Sequence, residues 1–292
     1  MNFKNFIKKI NKKIVNSIYI FYLRRFRKYI RLSSYPQITG DTFRNLSDHI
    51  LDEVKKIDLN KIRKNDLIFV KTDYLDEFFN IYYSKITIPI KLVTHNSDIN
   101  LDNINVKNFN FHRDIWYGQN VSFNSDSVKP IPIGIENRSF LKNGKLNHFK
   151  NLNLTKTKDS KILCSFNPNT NLERKTLLRN IQQSKNIEVL SFPNHKIYIN
   201  ELSKYKFNIC PPGNGLDTHR FWESLTVKAL PIVKKSEFLI NFYDKGVPMY
   251  LIDSWKDLNF LDFDKLNQEY KKFFNTKLDN QEYLDIRYWI KY

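Results

Sequence analysis

The sequence predicts an α/β protein with two domains, each built around a parallel β-sheet. Three observations lead to this prediction. The chain has 292 residues, which suits two compact domains of about 130 to 150 residues each. Strand-like and helix-like segments alternate along most of the chain, as they do in β-α-β units. The composition, 41% hydrophobic and 15% aromatic, is typical of a folded chain, and two such domains imply a cleft between them.

We divide the chain into four segments. A basic amphipathic helix comes first, then an N-terminal domain, a C-terminal domain and a C-terminal helix, with boundaries at residues 1–32, 33–150, 151–265 and 266–292. A polar run without clear periodicity, at residues 140–160, forms the passage between the two domains.

Polar side chains follow two predicted strands of the N-terminal domain. The strands are predicted at residues 67–70, 91–94, 106–109 and 131–135, with an amphipathic helix at 73–83. His95, Asn96 and Asp98 come directly after one strand, and Glu136 and Asn137 after another. Because ligands bind beyond the carboxyl ends of parallel strands, these side chains are predicted to line the cleft.

The C-terminal domain is predicted to begin with a strand, a turn-rich loop and a helix. The strands are predicted at residues 161–166, 188–192, 207–209, 231–233 and 249–252, and helices at 198–205 and 236–244. Asn167 opens the loop, and Arg174 and Lys175 lie in the first turns of the helix after it. This arrangement suits a diphosphate, although an ordinary basic, solvated helix has the same appearance.

Residues 206–233 are the most informative part of the chain. They are predicted to form a strand, a Gly-Pro loop with Gly213 and Gly215, a helix with Asp217 as its N-cap, and a second strand. A helix N-terminus after such a loop attracts anions, because free N–H groups and the helix dipole point at it.

The predicted helix has one face for packing and one for binding. At 100° per residue, His219, Arg220 and Glu223 share one sector, and the apolar side chains share another: Phe221, Trp222, Leu225 and Ala229. Arg220 suits phosphate oxygens and Glu223 suits a diol, a combination that a nucleotide sugar offers. The alternative is an ordinary surface ion pair between residues three apart.

These residues resemble a known family, the exostosin-like glycosyltransferases with their short bacterial and viral relatives. The specific block is residues 206–233, through Cys210-Pro211, Gly213-Asn214-Gly215, Asp217-Thr218-His219-Arg220, Trp222-Glu223 and Pro231-Ile232-Val233. Upstream segments at residues 94–98, 119–120, 130–137 and 171–175 look like the cleft segments of the family, in the expected order. The larger animal exostosins lack the Asp-Thr-His-Arg sequence, so the match is to the broader superfamily and leaves the sugar undecided.

The resemblance implies the GT-B fold, in which two Rossmann-like domains face each other across a cleft. It implies an acceptor domain at residues 33–150, a nucleotide-sugar donor domain at residues 151–265, and a final helix that crosses back to the first domain. By resemblance, Arg220 binds the diphosphate, Glu223 the donor ribose, and Asp217 with His219 the sugar or phosphates. The remaining donor residues are Asn167, Arg174, Lys175, Gly213, Asn214 and Gly215, and the remaining cleft residues are Asn96, Gln119, Asn120 and Asn137.

The expected activity is a metal-independent, inverting transfer of sugar from a nucleotide diphosphate sugar, by family analogy a UDP-sugar, to a cell-surface glycan or lipid-linked acceptor. Positive charge at the departing diphosphate replaces a metal. Asp98 and His95 are the candidate bases, with Glu136 behind them. The alternatives are that Asp98 closes an Asx turn and that His95 is a satisfied structural histidine.

The net charge raises a second class of function. With 48 Lys and Arg against 30 Asp and Glu, the formal charge is +18, which attracts any polyanion. The alternative function is therefore that of a non-catalytic binding module for polyanionic glycan, lipid or nucleic acid. Nucleic acid has only the charge in its favour, since no zinc-finger, RNP or helix-turn-helix pattern is visible, and we expect no nucleic-acid partner.

The basic segment at residues 1–32 is predicted to lie on an anionic membrane surface. Apolar residues recur there at helical spacing, with lysines opposite them. The apolar run is shorter than the ~20 residues that span a bilayer. The alternative is a helix packed on the protein's own core.

Two cysteines, Cys164 and Cys210, are too few for a disulfide framework or a cysteine-based metal site. We expect them to be buried, and expect a cytoplasmic protein that sits peripherally on the inner face of a membrane. No ligand spacing for a metal is visible, so neither a metal nor another cofactor is expected, the nucleotide sugar being a substrate.

Overall fold

The structure, a computed structural model, describes residues 21, 25–101, 109–123, 128–154, 157–181, 184–274 and 281–290. Residues 1–20 and 22–24 of the predicted amphipathic helix lie outside the described residues, and so does most of the predicted strand at 106–109. The described chain is α/β, with two five-stranded sheets. No helix within it is long and apolar enough to cross a membrane.

The first sheet has the strand order β1-β2-β3-β4-β5, with every pair parallel. Helix α1 spans Gly40–Leu46, and the five strands are His49–Leu51, Leu67–Lys71, Lys91–His95, Ile115–Gly118 and Val128–Pro130. A continuous but irregular helical stretch between β2 and β3 consists of short turns at Thr72–Tyr74, Leu75–Glu77, Phe78–Tyr82 and Tyr83–Lys85.

The second sheet has the order β10-β9-β8-β6-β7, again all parallel. Its strands are Asp159–Cys164, Ile187–Val189, Tyr205–Ile209, Leu230–Lys234 and Tyr250–Ile252. The helices between and after them are α2 (Leu172–Ile181), α3 (His195–Leu202), α4 (His219–Thr226), α5 (Glu237–Tyr243), α6 (Phe263–Phe274) and α7 (Ile286–Trp289). Short 3-10 helices lie at Leu146–Phe149, Trp255–Phe260 and Glu282–Leu284.

Alternate residues of the strands enter different parts of the core. Phe69 and Val93 belong to one apolar cluster, whereas their neighbours Val70 and Leu92 belong to another on the opposite face of the first sheet. The cluster that holds Phe69 also contains Phe207 of the second sheet. Burial on both faces explains why these strands read as continuous apolar runs rather than as alternating ones.

Several predicted elements of the first sheet were wrong in position. A strand was predicted at residues 131–135, but the strand in the structure, β5, lies earlier and ends at Pro130. It does not continue because Pro130 and Pro132 have no N–H to donate to a neighbouring strand, and only Ile131 adds a hydrogen bond, to the carbonyl of Gly118. Strands β1 and β4 were missed. The predicted helix at 73–83 is helical, but as 3-10, α and π turns.

The end of the described chain returns to the first half. The Ile286 N–H donates to the carbonyl of Pro36 at 3.0 Å, and Gln37 forms an antiparallel bridge with Asp285. Trp289 packs edge-on against Trp222 of α4, with ring centroids 6.0 Å apart. The terminal segment is therefore hydrogen-bonded to residues just before α1, in the half of the chain that forms the first sheet. It also packs on α4, the helix predicted to carry the site.

Candidate functional site

A cavity of about 1070 Å³ lies where the carboxyl ends of strands from both sheets meet. Helix α4, the loop before it, and the segments after β3 and β4 contribute its walls. Of the residues predicted for the site, those lining the cavity are His95, Asn96, Asp98, Gln119, Glu136, Asn137, Arg174, Gly213, Asn214, Gly215, Asp217, His219, Arg220 and Glu223. We call it the central cavity.

Helix α4 begins one residue later than the sequence predicts. Thr218 is the N-cap, in extended conformation and without a side-chain capping bond, so the assignment of Asp217 as N-cap was wrong. The helix buries Phe221, Trp222 and Leu225 and leaves His219 and Arg220 half-exposed. Glu223 is buried but still lines the cavity.

Asp217 ties the two sheets together. Its carboxylate accepts hydrogen bonds from the Ile133 N–H at 2.7 Å, the Thr218 N–H at 2.8 Å and the Trp222 Nε1–H at 2.9 Å. Its own N–H donates to Oδ1 of Asn120 at 3.0 Å. Burial raises the pKa of Asp217 to about 6, although the three N–H donors favour the ionised form. Its contacts are structural, which limits its availability to a sugar.

Arg220 has no carboxylate partner within the described residues. Its Nε is buried without a hydrogen-bond partner. The guanidinium lies over the rings of Phe166 and Tyr198, with its central carbon 5.9 Å and 5.8 Å from their centroids. The predicted alternative of a surface ion pair with Glu223 is absent from the ion pairs of the described chain. A half-exposed guanidinium that has a buried, unpartnered Nε and forms no ion pair among the described residues is an arrangement that an anionic ligand completes.

Arg174 braces the loop before α4. Its guanidinium donates to the carbonyls of Pro212, Pro211 and Asn167 at 2.8, 3.3 and 3.4 Å. Nearby, Asn171 Nδ2 donates to the Gly213 carbonyl at 2.9 Å. Burial, and secondarily Arg220, lowers the pKa of Arg174 to about 10, so it stays cationic at neutral pH. Arg174 therefore holds the loop and adds positive potential to it.

Glu223 belongs to a chain of three buried side chains. Its Oε1 lies 2.7 Å from His195 Nε2, and His195 Nδ1 lies 2.7 Å from His148 Nδ1. Burial alone opposes ionisation of Glu223, but His195, with His219 and Arg220, holds its pKa below the usual value. The carboxylate is therefore ionised at neutral pH.

His219 joins α4 to the segment after β5. Its Nδ1–H donates to the Gly134 carbonyl at 2.8 Å, and its Nε2 lies 3.5 Å from Glu136 Oε1. Burial opposes protonation, but Glu136 and the Gly134 carbonyl raise the pKa of His219 overall. Glu136 also accepts from the Asn137 N–H at 2.9 Å.

His95 has both ring nitrogens engaged. Nε2 lies 3.1 Å from the Pro132 carbonyl and Nδ1 accepts from the Asn96 N–H at 2.7 Å. Burial lowers its pKa to about 4, so the ring is neutral. This geometry favours the structural histidine that the sequence left as an alternative. Asp98, in contrast, is exposed, and Oδ2 accepts from Asn214 Nδ2 at 3.3 Å.

Asn96 and Asn137 form a polar network with the start of α1. Asn137 Nδ2 donates to Asn96 Oδ1 at 2.9 Å, and Asn96 Nδ2 donates to Asp41 at 3.3 Å. Asp41 is buried beside Arg31, which also pairs with Glu53. Gln119 is buried, and its Oε1 has no hydrogen-bond partner in the described chain. These amides shape the wall of the cavity on the first-sheet side.

Three predicted site residues lie outside the central cavity. Lys175 is exposed on α2, as expected of the solvated-helix alternative. Asn167 lines a second cavity instead. Asn120 is buried between the sheets, where Nδ2 donates to the Ser97 carbonyl at 3.3 Å and a Cβ on Gly215 would come within 2.8 Å of the same atom.

The second cavity, of about 1210 Å³, adjoins the first. Both are lined by Arg220, His195 and Tyr198, and Phe166 and Phe192 lie on the second alone. His148, His195 and Tyr198 were not among the site residues predicted from the sequence. A sequence signal for His195 and Tyr198 is the Pro-Asn-His start of α3 after β7, where Asn194 caps the helix.

The described residues offer no group of three or more His, Cys, Asp or Glu side chains arranged to hold a metal ion. Cys164 and Cys210 are free and buried, and burial raises the pKa of each thiol to about 12. No protein-family model matches the chain, and no curated protein matches it in sequence.

Proposed function

We propose that the protein is a glycosyltransferase that transfers a sugar from a nucleotide diphosphate sugar, with UDP as the first nucleotide to test. The observation that carries the proposal is Arg220, a cation with a buried, unpartnered Nε at the start of a helix, in a cavity between two parallel sheets. Backbone N–H groups of a helix start and a guanidinium together suit a diphosphate.

Glu223 supports the nucleotide part of the proposal. It lies one turn from Arg220, is ionised, and presents a carboxylate to the cavity, as a pair of ribose hydroxyls requires. The second cavity supports the nucleotide part further. This cavity continues from Arg220 between aromatic side chains, on which a nucleobase can stack. We propose a GT-B arrangement on the same grounds, with the central cavity as the cleft.

The proposed reaction moves one proton and one sugar. The acceptor oxygen attacks the anomeric carbon, the bond from that carbon to the diphosphate oxygen breaks, and the diphosphate leaves with the electron pair. Asp98 and Glu136 are two of the carboxylates that line the cavity, and one of them takes the proton of the acceptor hydroxyl. Arg220 stabilises the departing negative charge, with Arg174 adding potential behind the loop. Direct attack inverts the anomeric configuration.

Binding of UDP to matched variants tests the proposal. Wild type should be stabilised against heat by UDP, and Arg220→Ala should lose that stabilisation, with at least about tenfold weaker binding, because a hydrogen-bonded charge pair contributes about 1.5 to 3 kcal/mol. Arg220→Lys keeps the charge but loses the bidentate geometry, and it should fall between the two. Arg179→Ala removes an exposed cation of α2 and should behave as wild type.

Transfer or hydrolysis across a panel of nucleotide sugars then identifies the donor. Equal stabilisation of wild type and Arg220→Ala would remove Arg220 from the site. Binding to generic polyanions that falls steeply with salt, with no saturable nucleotide site, would instead favour the non-catalytic binding module suggested by the charge of +18.

A further inference from the structure

Three buried side chains form a hydrogen-bonded chain from the second cavity to the central cavity. His148 lines only the second cavity, Glu223 lines only the central one, and His195 lines both. The two contacts, His148 Nδ1 to His195 Nδ1 and His195 Nε2 to Glu223 Oε1, each measure 2.7 Å. We call this set the His-His-Glu chain; Glu223 is the proposed ribose ligand, whereas His148 and His195 have no role in the reaction proposed above.

The protons of the chain follow from its geometry. Because Glu223 is ionised, its Oε1 accepts, and His195 Nε2 must carry the proton that it donates. A neutral His195 then has a bare Nδ1, which accepts a proton from Nδ1 of His148. Burial, followed by the neighbouring imidazole of His195, lowers the pKa of His148. The pair of imidazoles can share one proton between the two Nδ1 atoms but not two.

The surroundings hold these rings in place. His195 lies in the first turn of α3 and packs against Phe149 and Tyr198, with centroids 6.0 Å from each. His148 lies in a 3-10 helix that packs against α3. The charged groups facing the chain are His219 and Arg220 at the Glu223 end, and Lys145 and Lys196 at the His148 end.

We propose that His195 is a positioning residue that fixes the carboxylate of Glu223 for two hydroxyl groups of the ligand, and that His148 fixes the tautomer of His195. This inference rests on the proposed function. His195 occupies Oε1 from the protein side, whereas Oε2 has no hydrogen-bond partner in the described chain. Without His148, His195 is free to move its proton to Nδ1, and a bare Nε2 then faces the carboxylate.

A merely structural role and a positioning role differ in which ligands they affect. A loosened fold weakens every ligand of the cavity to a similar degree. A loosened Glu223 weakens only a ligand whose hydroxyls it holds. The dideoxy analogue of UDP lacks both ribose hydroxyls but keeps the base and the diphosphate, so it serves as the matched probe.

The experiment is calorimetric titration of wild type and four variants with UDP and with its dideoxy analogue. Wild type should prefer UDP by at least about tenfold, since hydrogen bonds to a charged carboxylate are stronger than those between neutral groups. His195→Ala should bind UDP about tenfold more weakly and the analogue unchanged. His195→Gln, whose amide nitrogen can donate to Glu223, should recover most of the preference. His148→Phe keeps a ring but no donor, and should reduce the preference. His112→Ala, at an exposed histidine, is the control.

The outcomes are separable. If wild type binds UDP and His195→Ala weakens UDP and the analogue equally, or leaves the preference intact, the positioning role is overturned while the proposed function stands. If His195→Ala does not fold, the comparison of His195→Gln with His148→Phe decides, and equal preference in both overturns the inference. If wild type binds neither ligand, the proposed function is overturned and the inference with it.

Discussion

Replacing Asp217 by asparagine removes one acceptor from the carboxylate that ties the two sheets together. Both carboxylate oxygens are occupied: Oδ2 by the Ile133 N–H at 2.7 Å, Oδ1 by the Thr218 N–H at 2.8 Å, and both by the Trp222 Nε1–H at 2.9 Å. An amide has one oxygen and one NH₂ group. Whichever way it is turned, an N–H donor of the protein then faces another donor.

The expected loss of stability follows from this geometry. A buried donor left without an acceptor costs about 1 to 3 kcal/mol, and the indole N–H, which bonds to both oxygens, is weakened as well. We therefore expect Asp217→Asn to lower the free energy of unfolding by about 2 to 4 kcal/mol at neutral pH. Asp253→Asn, the same substitution at an exposed position, should stay within about 0.5 kcal/mol of wild type.

The pH dependence gives the same variant a second signature. The pKa of Asp217 in the folded chain, about 6, lies above its usual value of 3.8. The folded state therefore binds this proton more readily than the unfolded state does. The contribution of Asp217 to the free energy of unfolding grows as the pH falls from above the folded pKa towards the pKa of the unfolded chain, 3.8. Between about pH 7 and about pH 5 the stability gap between wild type and Asp217→Asn should widen by about 1 kcal/mol.

Urea unfolding at several pH values, followed by tryptophan fluorescence, measures both effects. The midpoint should move at nearly constant slope if only stability has changed. The reasoning is refuted if Asp217→Asn matches Asp253→Asn at neutral pH, or if the gap between wild type and Asp217→Asn narrows as the pH falls.

Two further predictions concern the segments that face the site. Gly134→Ala should lower the free energy of unfolding by about 2 kcal/mol or more, because φ is +68° and the new Cβ would come within 2.1 Å of the Ile38 carbonyl oxygen. The control is Gly246→Ala, where φ is +80° and the space around the Cβ is open. In the same unfolding assay it should cost only about 1 kcal/mol. The His95 ring should remain neutral until the pH approaches about 4, and since the unfolded chain takes up that proton first, this residue should cost stability as the pH falls from about 6.5. An NMR titration that places the His95 pKa near 6.5 would contradict the buried, doubly hydrogen-bonded ring.

Much of the fold was readable from the sequence because the parallel sheets bury their central strands on both faces. The apolar runs within β2 and β3 are typical of strands buried on both faces, and both strands were predicted from these runs. Strand β4, Ile115–Gly118, was missed because a run of four residues is too short to show a period, although its first three residues favour strands. Its conformation depends on pairing with β3 and β5, which are distant in sequence.

The candidate site was readable where helical spacing alone places side chains. His219, Arg220 and Glu223 were grouped by the 100° rotation per residue, and all three line the central cavity. The N-cap assignment failed because Asp217 and Thr218 are both of residue types that cap helices, and the carboxylate of Asp217 bonds instead to Ile133, after β5, and to the indole of Trp222. His148 and His195 were missed because only tertiary packing brings them to Glu223.

The carbonyl groups of the loop before α4 have a consequence for any anion beside it. The oxygens of Pro211 and Pro212 both accept from Arg174, and the oxygen of Gly213 accepts from Asn171. Three consecutive dipoles thus have their negative ends turned to protein donors instead of to the ligand space. A phosphate approaching this turn therefore meets little repulsion from carbonyl lone pairs. The turn can accept a negative charge beside it because Arg174 of α2, and Asn171 just before α2, occupy its carbonyl oxygens, and this does not depend on its own glycines.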